Sequence, residues 1–141
     1  MPAYALRVED APDPADVRVL EEGLYAYNVQ QTGRDDGRWL GIFLRDGDGH
    51  IEGGLSGWTW AGWLKINLLW VREDLRGQGS GRALLDAAEK EALARGCGRA
   101  TLDTYSFQAP EFYRKLGWRI VSVVEACPGP GQKHYTLVKQ L

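Results

Sequence analysis

The 141 residues suit one domain spanning 1–141, and a net charge of −2 with neither a basic stripe nor a lysine run argues against nucleic acid as partner. No apolar stretch reaches the ~20 residues that span a bilayer; the nearest, Trp58 to Val71, is broken by Gly62, Lys65 and Asn67. Met1-Pro2-Ala3-Tyr4-Ala5 lacks the charged-then-apolar order of a secretory signal, and Cys97 and Cys127 stand alone, so a cytoplasmic chain with reduced thiols and no membrane contact is expected.

In chain order, Tyr4–Val8 reads as a first strand. Asp13-Pro14 gives an N-cap with proline at the first helical position, and Val17, Leu20, Leu24 and Tyr27 extend a helix from Pro14 to about Gln31. Strand signals follow at Trp39–Arg45 and Ile51–Trp60, separated by the turn Asp46-Gly47-Asp48-Gly49. Ala61-Gly62 is a second tight connection, and Trp63–Val71 is the most apolar strand. The period then changes: Ala83, Leu84, Ala87, Ala88 and Leu93 mark a helix stopped at Arg95-Gly96. Ala100–Tyr105 reads as a strand, Ala109–Leu116 as a short helix, Trp118–Val124 and Tyr135–Gln140 as the last strands. A meander followed by strand–helix–strand units predicts an α/β fold with a single mixed, mostly antiparallel sheet and helices on both faces. His50 follows a turn and His134 sits in a terminal strand, neither with ligand partners at useful spacing, so no metal is expected.

The chemistry concentrates in Arg76-Gly77-Gln78-Gly79-Ser80-Gly81, between a buried strand and a helix. A helix N-terminus presents unpaired amides and partial positive charge, which attract phosphate. Glycine lets the main chain approach an anion and take positive φ, and Arg76 adds a charged donor. Walker A requires lysine followed by serine or threonine, absent here, and the dinucleotide fingerprint needs glycine where Arg82 stands.

The pattern arginine-x-x-glycine-x-glycine between strand and helix resembles the GNAT family of N-acetyltransferases. A second stretch, Ala109-Pro110-Glu111-Phe112-Tyr113-Arg114-Lys115-Leu116-Gly117-Trp118, resembles that family's downstream signature. The resemblance covers roughly Leu69 to Trp118 and implies the acyl-CoA N-acyltransferase fold, with acetyl-CoA as co-substrate and direct acetyl transfer to a primary amine of a small molecule. The alternative is a non-catalytic acyl-CoA-binding or sensing domain. The resemblance further implies that the strand before the loop is splayed from its neighbour. The pantetheine arm would pair with main-chain groups near Leu69 and Val71, and the pyrophosphate would rest on the amides of Arg76, Gly77, Gln78, Gly79, Ser80 and Gly81. Ser106 stands where an asparagine often meets the cofactor arm, and Tyr113 where a tyrosine commonly protonates the departing thiolate. Lys65 falls where some members carry a glutamate base. Asp103, sharing a strand face with Thr101 and Tyr105, and Glu52 on the strand before are the candidate bases. Trp58 and Trp60, on one strand face with Glu52 and Ser56, are candidates to line an amine pocket, against plain aromatic core. Dimers are common in that family, so a homodimer is an open expectation.

Overall fold

In the computed structural model, which describes residues 3–141, the chain divides into two compact units, the first ending at Asp35 and the second beginning at Asp36. The first is dominated by helix α1, Pro14–Thr32. Its start is chemical: the Asp13 carboxylate accepts from the Ala15 amide at 2.9 Å, and Pro14 supplies the fixed φ of a first turn. Its end is equally local, with Gly33 at φ 70° donating its amide to Val29 O at 2.7 Å. The strand expected at Tyr4–Val8 is not formed, and residues 3–9 have no regular structure. A strand is completed by a neighbour's ladder, and the six-stranded sheet offers 4–8 no partner. Tyr4, Leu6 and Val8 are accordingly exposed.

The second unit holds the sheet: β1 Arg38–Arg45, β2 Ile51–Trp60, β3 Trp63–Val71, β4 Arg99–Tyr105, β5 Arg119–Glu125 and β6 Lys133–Gln140. The strands lie in the order β1-β2-β3-β4-β6-β5, and only β3 and β4 run parallel. The sheet is therefore mixed and mostly antiparallel. Strand β2 alternates buried and half-buried residues along most of its length, with Leu55, Gly57 and Thr59 turned to the core. On β3 the alternation slips once: Leu64 and Ile66 are buried, then Leu69 and Val71 are the less exposed pair. The cause is a bulge, because Ser56 faces Leu68 while Gly57 faces Ile66, leaving Asn67 unopposed.

Helix α2, Ser80–Ala94, connects β3 to β4 and packs Leu84, Leu85, Ala88 and Ala92 into the core. Leu84 and Leu85 are each 1% exposed, a burial that contributes roughly 2 kcal/mol apiece. Beyond its last turn, Arg95 donates to Glu91 Oε1 at 3.0 Å, Thr59 Oγ1 at 3.0 Å and Trp39 O at 3.1 Å, fastening the helix end to β1 and β2. The short helix α3, Pro110–Lys115, contributes Tyr113 to the same core, beside Trp118 and Leu137.

The β2–β3 hairpin turns on Ala61 at φ 52° and Gly62 at φ 82°, the two positive angles of a type I′ turn. Alanine is strained there, whereas asparagine enters this region readily. Ala61→Asn keeps the amide that donates to Asp36 Oδ1 at 3.1 Å. It is expected to stabilise the fold by about 1 kcal/mol or less, read as a higher urea midpoint at unchanged slope; a lower midpoint would contradict the turn assignment.

Candidate active site

The parallel ladder between β3 and β4 consists of Trp63↔Arg99, Leu64↔Ala100 and Lys65↔Thr101, and stops there. Beyond it β3 bends at the Asn67 bulge and stays with β2, while β4 stays with β6. The gap is a cleft of about 840 Å³, lined on one side by residues 66–71 and on the other by residues 102–105, with Arg76, Phe107, Gln108, Ala109, Tyr113 and His134 completing it. Lining residues come from both faces of the sheet. Leu102 and Thr104 of β4 and Tyr113 of α3 are buried, whereas Asp103 and Tyr105 alternate with the two β4 residues on the opposite face.

Hydrogen-bond alternation says which main-chain groups meet the cleft. The Arg72 amide donates to Glu52 O at 2.9 Å, so along this antiparallel pair Trp70 and Leu68 also direct their peptide groups to β2. Leu69 and Val71 then present theirs to the gap. The Val71 carbonyl is already engaged, accepting from Arg76 Nε at 2.8 Å. That bond anchors the guanidinium at the end of the cleft nearest the loop.

The loop runs through a single 3-10 turn, Glu73–Leu75, into Gly77 at φ 75° and Gly79 at φ 88°. Gly79 is the N-cap of α2, and neither a side-chain cap nor an acidic residue covers the first turn. The leading amides of a helix have no intrahelical partner, so this end is suited to an anion. A Cβ at Gly77 or Gly79 would meet nothing within 4 Å, the signature of open backbone. Gly81 serves differently. Its φ is not positive, and a Cβ there would stand 3.3 Å from the Phe112 ring, so this glycine admits α3 against the start of α2. The Gln78 amide group reaches back to Asp74 O at 3.4 Å, and Ser80 opens the helix.

Tyr113 is 9% exposed and lines the cleft, its ring edge-on to Phe112 at 5.2 Å and to Trp118 at 6.4 Å. Burial raises its phenol above the ordinary value, because the charged phenolate is the form that loses hydration. Asp103 also lines the cleft; its Oδ1 accepts from Thr136 Oγ1 at 2.8 Å, and it forms no ion pair among the described residues. The structure thus brings together Leu69, Val71, Arg76, Asp103 and Tyr113 along one cleft.

Glu52 and Ser106 are placed elsewhere. Glu52 is the extra residue of a bulge between β1 and β2, where Leu44 faces Gly53 and Arg45 faces Ile51. Its carboxylate, 17% exposed, is paired with Arg72 outside the cleft. Arg72 also clasps Asp74 through Nε at 2.6 Å and its second amino group at 3.0 Å. The Asp74 pairing raises the guanidinium's pKa and lowers that of Asp74. The Ser106 hydroxyl accepts from the Lys133 amide at 3.0 Å, tying the end of β4 to β6. Gln108 holds the cleft rim instead, its side-chain oxygen accepting from the Tyr105 amide at 2.9 Å and from the Thr104 hydroxyl at 3.3 Å. Neither Trp58 nor Trp60 lines the cleft; Trp58 packs edge-on against Trp39 at 4.6 Å. The rings that do line it include Trp70, Tyr105, Phe107 and His134. His134 was unremarkable in the sequence because only the register Tyr105↔His134 brings it there; the aromatic-x-aromatic spacing of Tyr105 and Phe107 was the available signal.

Asp46, Asp48 and His50 also gather, all exposed, with their ligand-type atoms within 4.8 Å of one another. The β1–β2 turn accounts for them: Asp46 Oδ1 accepts the amides of Asp48 and His50, each at 2.9 Å. The His50 amide is the main cause holding the Asp46 carboxyl below its ordinary range.

Among the described residues no helix is long and apolar enough to cross a membrane. The chain is 40% identical over 111 residues to the acetyltransferase Atu2258 of Agrobacterium fabrum, covering 79% of this chain and 81% of that protein. It is 39% identical over 94 residues to the blasticidin-S acetyltransferase of Streptomyces morookaense, covering 66% and 68% respectively. The fold superposes on an acetyltransferase crystal structure from Agrobacterium tumefaciens with TM-score 0.83 and 35% identity, over 98% of this chain and all of that one. The acetyltransferase (GNAT) family model matches residues 3–118. With the splayed strands, the open helix N-terminus and the tyrosine between them, these matches lead to one conclusion: the chain belongs to the acetyltransferase (GNAT) family.

Proposed function

We propose that this acetyltransferase moves an acetyl group from acetyl-CoA directly to a primary amine of a small molecule, with Asp103 and Tyr113 acting from opposite sides of the cleft. The observation that carries the reading is that one gap in the sheet holds Arg76 from the loop that opens α2, the β3 main chain left without a β4 partner, a buried phenol and a carboxylate. The relative named for blasticidin-S supports a small-molecule acceptor.

Each residue then has a definite task. The amides of Gly77 to Gly81, with Arg76, hold the pyrophosphate. The Leu69 and Val71 peptide groups receive the pantetheine arm, and an N–H there steadies negative charge on the thioester oxygen. The acceptor ammonium gives one proton to Asp103, directly or through water; the neutral nitrogen then forms the new bond to the acetyl carbon and releases its second proton to solvent. The carbon–sulfur bond breaks, and sulfur takes its proton from Tyr113. Burial assists, since a raised pKa keeps the phenol protonated across the neutral range. Glu52, already neutralised by Arg72, serves the loop rather than the acceptor.

Tyr113→Phe tests the mechanism first. It should lower turnover by roughly 10²-fold while leaving acetyl-CoA affinity and folding stability near native. A thioester with a better leaving thiol should recover part of the loss, and parent-like turnover would reduce Tyr113 to a packing residue. Because its pKa is raised, the alkaline fall in parent turnover should lie above pH ~10; a fall at lower pH would assign it to another group.

Gly79→Val should weaken coenzyme A binding at least tenfold in a folded protein, because a β-branched residue is strained at positive φ and covers the amides. Calorimetry showing unchanged affinity would remove the loop from the site. Asp103→Asn should lower turnover with coenzyme A affinity intact. Parent-like turnover would pass deprotonation to solvent.

A further inference from the structure

We infer that Asp103, Tyr105, Phe107 and His134 form the acceptor-recognition wall, and that it selects a cationic amine carried on a flat, unsaturated body. This rests on the acetyl-transfer reading and adds the acceptor's shape to it. Asp103 and Tyr105 share the face of β4 turned away from α2, and register places Thr136 and His134 opposite them on β6. The Tyr105 and Phe107 rings lie parallel, 3° apart in plane with centroids 5.2 Å apart. His134 stands edge-on to Tyr105 at 5.2 Å, so the middle ring is held on two sides. The rim is fixed as well, through Gln108 and the Tyr105 amide. Phe107 is 58% exposed although it lines the cleft, so a rigidly backed aromatic surface is left to solvent. Such a ring offers stacking area and an electron-rich face, both of which favour a planar or cationic partner.

Charge separates the two ends of the same cleft. Of the lining residues, Asp103 is the one carboxylate and Arg76 the one guanidinium. Asp103 is held by the Thr136 hydroxyl, with no cation paired to it among the described residues. An anion is therefore drawn toward Arg76 and the loop, and an ammonium toward Asp103. The carboxylate fixes where the nitrogen sits, and the ring pair beside it fixes what that nitrogen is attached to.

The test compares 2-phenylethylamine with 2-cyclohexylethylamine, equal in chain length and differing in whether the ring is flat. Binding of each is measured by calorimetry on the full chain, with and without saturating coenzyme A, and kcat/KM is measured with acetyl-CoA. The flat amine should be favoured by roughly tenfold in both readouts. Phe107→Leu should abolish that preference while coenzyme A affinity and thermal midpoint stay at parent values. Equal treatment of the two amines by the parent, or a preference that survives both Phe107→Leu and Tyr105→Leu, would overturn the inference; so would failure of 2-phenylethylamine to bind. Failure of coenzyme A to bind while the flat amine still does would instead overturn acetyl transfer and leave the wall standing.

Discussion

Everything distinctive in this molecule depends on where β3 leaves β4. Parallel pairing lasts three residues on each strand and ends at Lys65↔Thr101. Two positions further along, the extra residue Asn67 bends β3 and shifts its alternation by one. Without that shift, continuing the period of Leu64 and Ile66 would bring Leu68 and Trp70 toward the core and turn Leu69 and Val71 outward. The same irregularity thus repacks the core and exposes a row of peptide groups. Main-chain groups left unpaired in a protein interior are costly unless something meets them. Here the stretch without a β4 partner borders the cleft, with Arg76 at one end.

The loop and the tyrosine helix are mechanically one object. Phe112 lies against Gly81, in the first turn of α2, and its neighbour Tyr113 turns into the cleft. An anion seated on the first turn of α2 would therefore lie beside the contact that seats α3. Arg76 repeats the connection on the other side, reaching from the loop to the Val71 carbonyl. Placement of the loop and of Tyr113 is set by shared contacts rather than independently.

Much of this was readable from residue order. The limits of β2 and β3 follow from alternation bounded by turn chemistry, and the structure reproduces Ile51–Trp60 and Trp63–Val71. Asp13-Pro14 announced α1, and the glycine loop announced the start of α2. These signals are local, each residue acting on its near neighbours. What escaped is non-local. Tyr4–Val8 alternates like a strand, but its partner would have to come from elsewhere, and the sheet supplies none. Insertion of β6 between β4 and β5, which carries His134 and Thr136 to Tyr105 and Asp103, is a pairing choice that no window of sequence encodes. Glu52 reads as a candidate base in the sequence because its bulge and its Arg72 partner arise only when β1, β2 and β3 are assembled.

The short ladder has a consequence for how the protein holds together. Strands β1, β2 and β3 make one sheet half, β4, β6 and β5 the other, and three residue pairs stitch them directly. The seam is the least sewn line in an otherwise continuous fabric. A ligand with amides of its own, lying along Leu69 and Val71, would act as further stitching and share the work of the backbone. Occupancy then becomes a component of cohesion, because whatever binds the closed form and not the opened one shifts the balance by mass action. For such a molecule the supply of donor in its surroundings governs durability as well as rate.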